Sequence, residues 1–252
     1  MSNVTDLTAV VTGASSGIGR AIAVELAVRG AHVLVHARAS RRAAEEVREA
    51  IESLGRQSAV VLADLREIEA HVPLVEEAWA WRGGVDVWIN NAGADVLTGE
   101  AAAWPFERKL EELWRVDVTA TMRLSRLAGR RMKDAGAGAI INQGWDQAET
   151  GMAGDSGELF AAAKGAVMAF TKSLARSLAP EVRVNCLAPG WIKTAWGQRA
   201  SRSWQDRAAR ESLLGRWGTP EDVARAACFL ASPDAAFITG QILDINGGFG
   251  RG

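Results

Sequence analysis

Leu7-Thr8-Ala9-Val10-Val11-Thr12 runs directly into Gly13-Ala14-Ser15-Ser16-Gly17-Ile18-Gly19 and then into Arg20-Ala21-Ile22-Ala23. A β-branched run, a glycine-rich turn and a helical start follow one another without a spacer. Glycine at the strand end permits a tight turn, and glycine further on lets backbone N–H groups approach a pyrophosphate. The helix N-terminus that follows adds partial positive charge. This is the position of a dinucleotide fingerprint, although the spacing is G-x-x-x-G-x-G rather than G-x-G-x-x-G, and a packed strand-to-helix corner could read the same way.

Outward from this turn, short apolar runs alternate with longer amphipathic stretches. Strand-like runs fall at 7–12, 32–35, 58–62, 85–89, 139–142, 182–187 and 241–245. Helix-like segments lie near 17–29, 41–54, 67–82, 107–134, 157–179 and 220–231. This β-α-β alternation predicts an α/β fold: a doubly wound, seven-stranded parallel sheet with helices on both faces. No linker or repeat interrupts it, so residues 1–252 read as a single domain. The stretch 191–217, rich in Trp, Arg, Gln and Ser, sustains neither period and is expected to form a lid or substrate loop, or else a surface excursion with a short helix.

Composition narrows the function. Of the 252 residues 48% are hydrophobic and 23% charged, and the formal net charge is −1, so no positive field for nucleic acid is present. Only Cys186 and Cys228 occur, far apart, which supplies neither a disulfide framework nor a zinc cluster. The start MSNVTDL has no basic n-region or long apolar h-region, and no later run approaches membrane-spanning length. A soluble protein in a reducing, cytoplasmic setting is expected, without metal, membrane or nucleic-acid partner. The chain has 10 Trp and no Tyr.

Three further segments join the glycine-rich turn: Asn90-Asn91-Ala92-Gly93, Phe160 followed four residues later by Lys164, and Pro189-Gly190-Trp191-Ile192-Lys193-Thr194. Together they resemble the short-chain dehydrogenase/reductase family, with 3-oxoacyl-acyl-carrier-protein reductase-like members among the similar ones, along essentially the whole chain. The resemblance implies a Rossmann-type sheet, a nicotinamide dinucleotide, a small-molecule substrate, and a homo-oligomer, tetramer or dimer, built through the long fourth and fifth helices. It places the cofactor on Gly13, Ser15, Ser16, Gly17, Ile18 and Gly19, on Arg38, Asp64 and Leu65, on Asn91, Ala92 and Gly93, on Lys164, and on Pro189, Gly190, Ile192 and Thr194.

An acidic residue at the end of the second strand would bind the 2′-hydroxyl of NAD, whereas a basic one would pair with the 2′-phosphate of NADP. The chain reads Ala37-Arg38 there, and the Arg38 guanidinium offers a bidentate phosphate contact, so NADP(H) is expected over NAD(H). Ser16 offers no second cation, and Arg41 and Arg42 could be solvated first-turn side chains.

The resemblance implies a Tyr as proton donor, a Lys four residues later, a Ser and an Asn. Only Lys164 matches. Phe160 stands at the Tyr position and cannot carry a proton. Gly144 and Trp145 stand at the paired serines, and Asp117 at the Asn. Binding is expected to be kept and the proton relay rewritten. Asp146 beside Trp145 is the first candidate for a replacement acid and Asp155 the second, since desolvation raises a carboxyl pKa; either could instead be a solvated loop charge, and Asp155 or Ser156 a helix cap. Asp117 is expected to pair with Lys164 across the cleft. If Trp191, Trp196, Trp204 and Trp217 face the cleft, the substrate is apolar or aromatic. The leading expectation is an NADP(H)-dependent oxidoreductase acting on a carbonyl or imine. The alternatives are a non-catalytic NADP(H)-binding sensor, and a redox-neutral lyase, isomerase or cyclase on the same scaffold.

Overall fold

The computed structural model describes residues 3–194, 197 and 202–248, and for Trp204 the backbone alone. Seven strands form one parallel sheet: β1 (Thr8–Val11), β2 (His32–Ala37), β3 (Ser58–Leu62), β4 (Val87–Asn90), β5 (Gly138–Gln143), β6 (Val182–Pro189) and β7 (Ile242–Ile245), in the order β3-β2-β1-β4-β5-β6-β7. The helices are α1 (Gly17–Val28), α2 (Arg41–Ser53), α3 (His71–Arg82), α4 (Phe106–Leu113), α5 (Ala120–Ala135), α6 (Asp155–Leu178), α7 (Arg202–Glu211) and α8 (Pro220–Ala231).

The continuous apolar strands follow from burial on both faces. Along β1, Ala9 and Val11 turn toward Ile22 and Leu26 of α1, Val47 and Ile51 of α2, and Val223 and Leu230 of α8. Val10 turns the other way, with Leu34, Trp88 and Ile140, toward Leu74 of α3, Leu124 and Met132 of α5, and Leu178 of α6. Successive strand residues thus feed opposite cores, the period of two that a strand imposes. At α8 a capping box between Thr219 and Asp222, with Pro220 at the first helical position, fixes the start.

Two boundaries depart from the sequence expectation. The stretch 107–134 is not one helix: α4 passes through a π-helical turn, Trp114–Thr119, into α5. A single inserted residue of this kind is common at functional sites, and it holds Asp117, whose buried carboxylate has partners outside its own helix. The other departure is α6, which begins at Asp155 with Gly154 as N-cap and no side-chain cap, so neither Asp155 nor Ser156 caps it. Within the expected lid, α7 is a helix, while residues 195, 196 and 198–201, Trp196 included, lie outside the described residues, as does the Trp204 side chain.

Candidate active site and cofactor cleft

In the sheet order, the chain runs outward from β1 to β2 and β3 on one side and from β4 on the other. A crevice opens at such a reversal, beyond the carboxyl ends of the strands. A cleft of about 780 Å³ lies there. Its floor is stitched by Thr12, whose Oγ1 accepts the N–H groups of Asn91 and Ala92, both at 3.0 Å, while Asn91 Nδ2 donates to the carbonyls of Thr12 and Gly13 at 3.0 and 3.2 Å. Gly13 has φ +65° and would bring a Cβ to 2.8 Å from Ala92 Cα, so no side chain fits where the two strand ends meet.

The structure brings nearly all of the expected cofactor residues to this cleft. Gly13, Ser15, Ser16, Ile18 and Gly19 line it from the first turn, Arg38, Asp64 and Leu65 from the second and third strand ends, and Asn91, Ala92 and Gly93 from the fourth. Lys164, Pro189, Gly190, Ile192 and Thr194 complete the far side. Gly17 does not line the cleft; it shapes the turn at φ +55°. The side chain of Ser16 caps no N–H of α1, which leaves the first-turn N–H groups of Gly17, Ile18 and Gly19 for an anion. These residues fit a nicotinamide dinucleotide. Arg38 is exposed on the cleft rim, whereas Arg41 and Arg42 face Glu45 and Glu46 one turn along α2 at 3.6 and 3.2 Å. The Asp64 carboxylate forks onto the Arg66 guanidinium, which holds it below the usual carboxylate range.

His36 went unnoticed in the sequence, because one polar residue in an apolar strand carries no positional signal. It is buried, its Nε2 donates to the Ala63 carbonyl at 3.0 Å, and its Nδ1 accepts the Gly13 N–H at 3.2 Å. Burial pushes its pKa down to about 4. The neutral ring therefore ties β2 and the glycine turn together.

At the cleft floor Lys164 Nζ meets Asp117 Oδ1 at 2.7 Å, with side-chain exposures of 5% and 0%. Asp117 Oδ2 accepts the Ala94 N–H at 2.8 Å, and Nζ donates to the Gln143 carbonyl at 3.2 Å. A Cβ on Gly93 would lie 2.7 Å from Asp117 Oδ1, so glycine there makes room for the pair. Lysine has three N–H donors. The Gln143 carbonyl takes one; the contact with Asp117 is an ion pair, and Asp117 Oδ1 has no hydrogen-bond partner among the described residues. Phe160, one turn before Lys164, stands edge-on to Trp145 with ring centroids 5.1 Å apart, and Nζ lies 5.5 Å from the Phe160 centroid.

The carboxylates expected to replace the Tyr lie elsewhere. Asp155 is exposed in the first turn of α6 and does not line the cleft; Glu149 and Glu158 are exposed as well. Asp146 sits behind Gly190, outside the cleft lining, and its Oδ2 accepts from Asn246 Nδ2 at 3.2 Å. Desolvation does push its pKa up, to about 6, as the sequence suggested, but the burial is against the loop after β7. Of the expected tryptophans Trp191 lines the cleft and Trp217 does not; Trp191 Nε1 donates to Glu211 Oε2 of α7 at 2.7 Å and Trp217 Nε1 to the Gln205 carbonyl at 3.0 Å. Trp104, not singled out before, also lines it, under the Arg108 guanidinium at 3.7 Å.

A family model described as enoyl-(acyl carrier protein) reductase matches residues 13–250. The chain belongs to the short-chain dehydrogenase/reductase family. A 3-oxoacyl-acyl-carrier-protein reductase of Vibrio cholerae is 37% identical over 241 residues, covering 95% of this chain and 96% of that one. A solved structure from Beutenbergia cavernae, described as a candidate NAD(P)-dependent gluconate 5-dehydrogenase with bound NADP, is 38% identical with a TM-score of 0.87 and covers 98% of this chain and 97% of its own. A 7α-hydroxysteroid dehydrogenase complexed with NADH and a 7-oxo bile acid is 29% identical with a TM-score of 0.90, over 99% of this chain and 96% of its own. As a short-chain dehydrogenase/reductase, this protein is of the oxidoreductase type. No helix among the described residues is long and apolar enough to cross a membrane.

Proposed function

We propose that the protein is a cytoplasmic, NADP(H)-dependent oxidoreductase that acts on the carbonyl or imine of a small apolar or aromatic substrate through a non-standard proton relay. The observation that carries this reading is the buried Lys164–Asp117 pair at the floor of a glycine-cradled cleft beside the Phe160 ring; the reading takes Phe160 to stand where the family relay has its hydroxyl. A bound reduced nicotinamide supplies hydride. Lys164 Nζ holds a proton at the cleft floor, its ion pair with Asp117 fixes its position, and its place on the cleft lining supports the donor role. Asp146 and Asp155 do not line the cleft, which favours Lys164 and Asp117 as the proton-handling groups. Val96, Trp104, Trp145, Met152 and Trp191 give the substrate end apolar and aromatic walls.

The test is a titration of the protein with NADPH and NADH, followed by energy transfer from tryptophan to the reduced nicotinamide. NADPH is expected to bind at least about tenfold tighter than NADH, a gap of about 1.4 kcal/mol, and Arg38→Ala is expected to erase the gap. Equal affinities would remove the NADP preference, and no binding of either would remove the oxidoreductase reading. Consumption of NADPH with ketone, enone and imine panels then tests the chemistry; tight binding without turnover favours the non-catalytic alternative, which the missing hydroxyl at Phe160 supports. A homo-oligomer, dimer or tetramer, is also proposed, supported by Phe106, Leu110 and Trp114, which stand on one helical face at 39%, 39% and 48% exposure.

A further inference from the structure

Asn142 and Gln143 are consecutive amides at the end of β5, and they differ in one respect. Asn142 has partners at both ends of its amide: its Oδ1 accepts from Asn90 Nδ2 at 2.9 Å and Ser125 Oγ at 3.1 Å, and its Nδ2 donates to Thr171 Oγ1 at 2.9 Å. Gln143, on the opposite face by strand alternation, lines the cleft, and its Oε1 is buried with no hydrogen-bond partner among the described residues. Buried polar atoms without partners are rare in folded proteins, and each calls for an explanation such as a ligand that completes it. The main-chain carbonyl of the same residue accepts from Lys164 Nζ at 3.2 Å. The spare amide and the ammonium are therefore fixed to one point of backbone at the cleft floor. Gly144, which follows, and Phe160 bring no polar side-chain atom to this region. We propose that the Gln143 carboxamide binds the reacting group of the substrate beside Lys164, taking the place of a polarising hydroxyl.

A carboxamide both donates and accepts. Its NH2 group donates to a carbonyl oxygen or an imine nitrogen, and its Oε1 accepts from the O–H or N–H that the reduced product carries. This matches the C=O and C=N classes named above, and the assignment rests on that oxidoreductase reading.

Gln143→Met keeps the volume and removes the amide, and three measurements on it decide the matter. Thermal melts come first: the variant is expected to melt at or above the wild-type temperature, because it loses an unsatisfied buried acceptor, and a fall of more than about 3 °C would show that the amide holds the fold instead. Next, benzamide, an aromatic ring with both an N–H donor and a C=O acceptor, is titrated into each protein. Wild type is expected to bind it and the variant at least about tenfold more weakly. A wild type that does not bind benzamide, or equal affinities, would overturn the proposal. Last, NADPH affinity is expected to stay within about twofold while kcat/KM for acetophenone and 2-phenyl-1-pyrroline falls at least about thirtyfold. Wild type that binds benzamide but no NADPH would sink the oxidoreductase reading and leave the Gln143 ligand contact standing.

Discussion

Asp146 and His36 titrate in the same pH window with opposite effects on stability. Asp146 keeps its proton to about pH 6 in the folded protein, against a reference value of 3.8, so the folded state binds more protons than the unfolded one and stability falls as pH rises from about 4 to 6. His36 loses its proton near pH 4 when folded, against 6.5 when unfolded, so here stability rises with pH through the same range. Each amounts to about 3 kcal/mol at most. Between pH 4 and 6 these two contributions oppose each other. Asp146→Asn removes one slope: urea denaturation should show the variant about 2 kcal/mol more stable than wild type at pH 7.5 and close to it at pH 4. Phe160→Tyr is expected to change ketone reduction by less than about tenfold, since the proposed relay puts Trp145 at the place of the family serine and Asp117 still pairs with Lys164. A large gain in NADPH-coupled turnover from that one change would contradict the assignment of Trp145.

At the scale of elements, the π turn between α4 and α5 and the face of α6 together bury one ion pair. Removing one partner of such a pair leaves an uncompensated charge, while removing both does not. Asp117→Leu and Lys164→Met are each expected to cost about 3–5 kcal/mol, and the double variant at least about 2 kcal/mol less than their sum, in a double-mutant cycle measured by denaturation. Additive losses would show that the 2.7 Å pair is not coupled. The family resemblance placed Asp117 and Lys164. The sequence did not reveal the π turn, because a one-residue insertion leaves the apolar pattern of 107–134 almost unchanged.

At the scale of the molecule, the exposed stripe of Phe106, Leu110 and Trp114 is the feature to test for self-association. Light scattering coupled to size exclusion is expected to give a mass at least about twice the 26.8 kDa chain, and Trp114→Glu to lower it. A wild-type mass of one chain would remove the oligomer. The sheet supplies the frame for everything else, since the order β3-β2-β1-β4-β5-β6-β7 opens the crevice where the glycine turn and the Asn91 stitch meet.

The seven strands, their parallel sense and the cofactor turn were legible in the chain by itself, because strand alternation, apolar runs and glycine spacing are local and repeat along it. Asp117 and Lys164 were legible as positions. What the tertiary structure alone decided is which polar groups face one another: that Asp146 turns to Asn246 rather than the cleft, that Asp155 stays in solvent, that His36 bonds the glycine turn, and that Gln143 is left over. These depend on long-range packing. A side chain's pKa and its partners are set by neighbours dozens of residues away, and no local pattern records whether a carboxylate ends under a loop or in an open cleft.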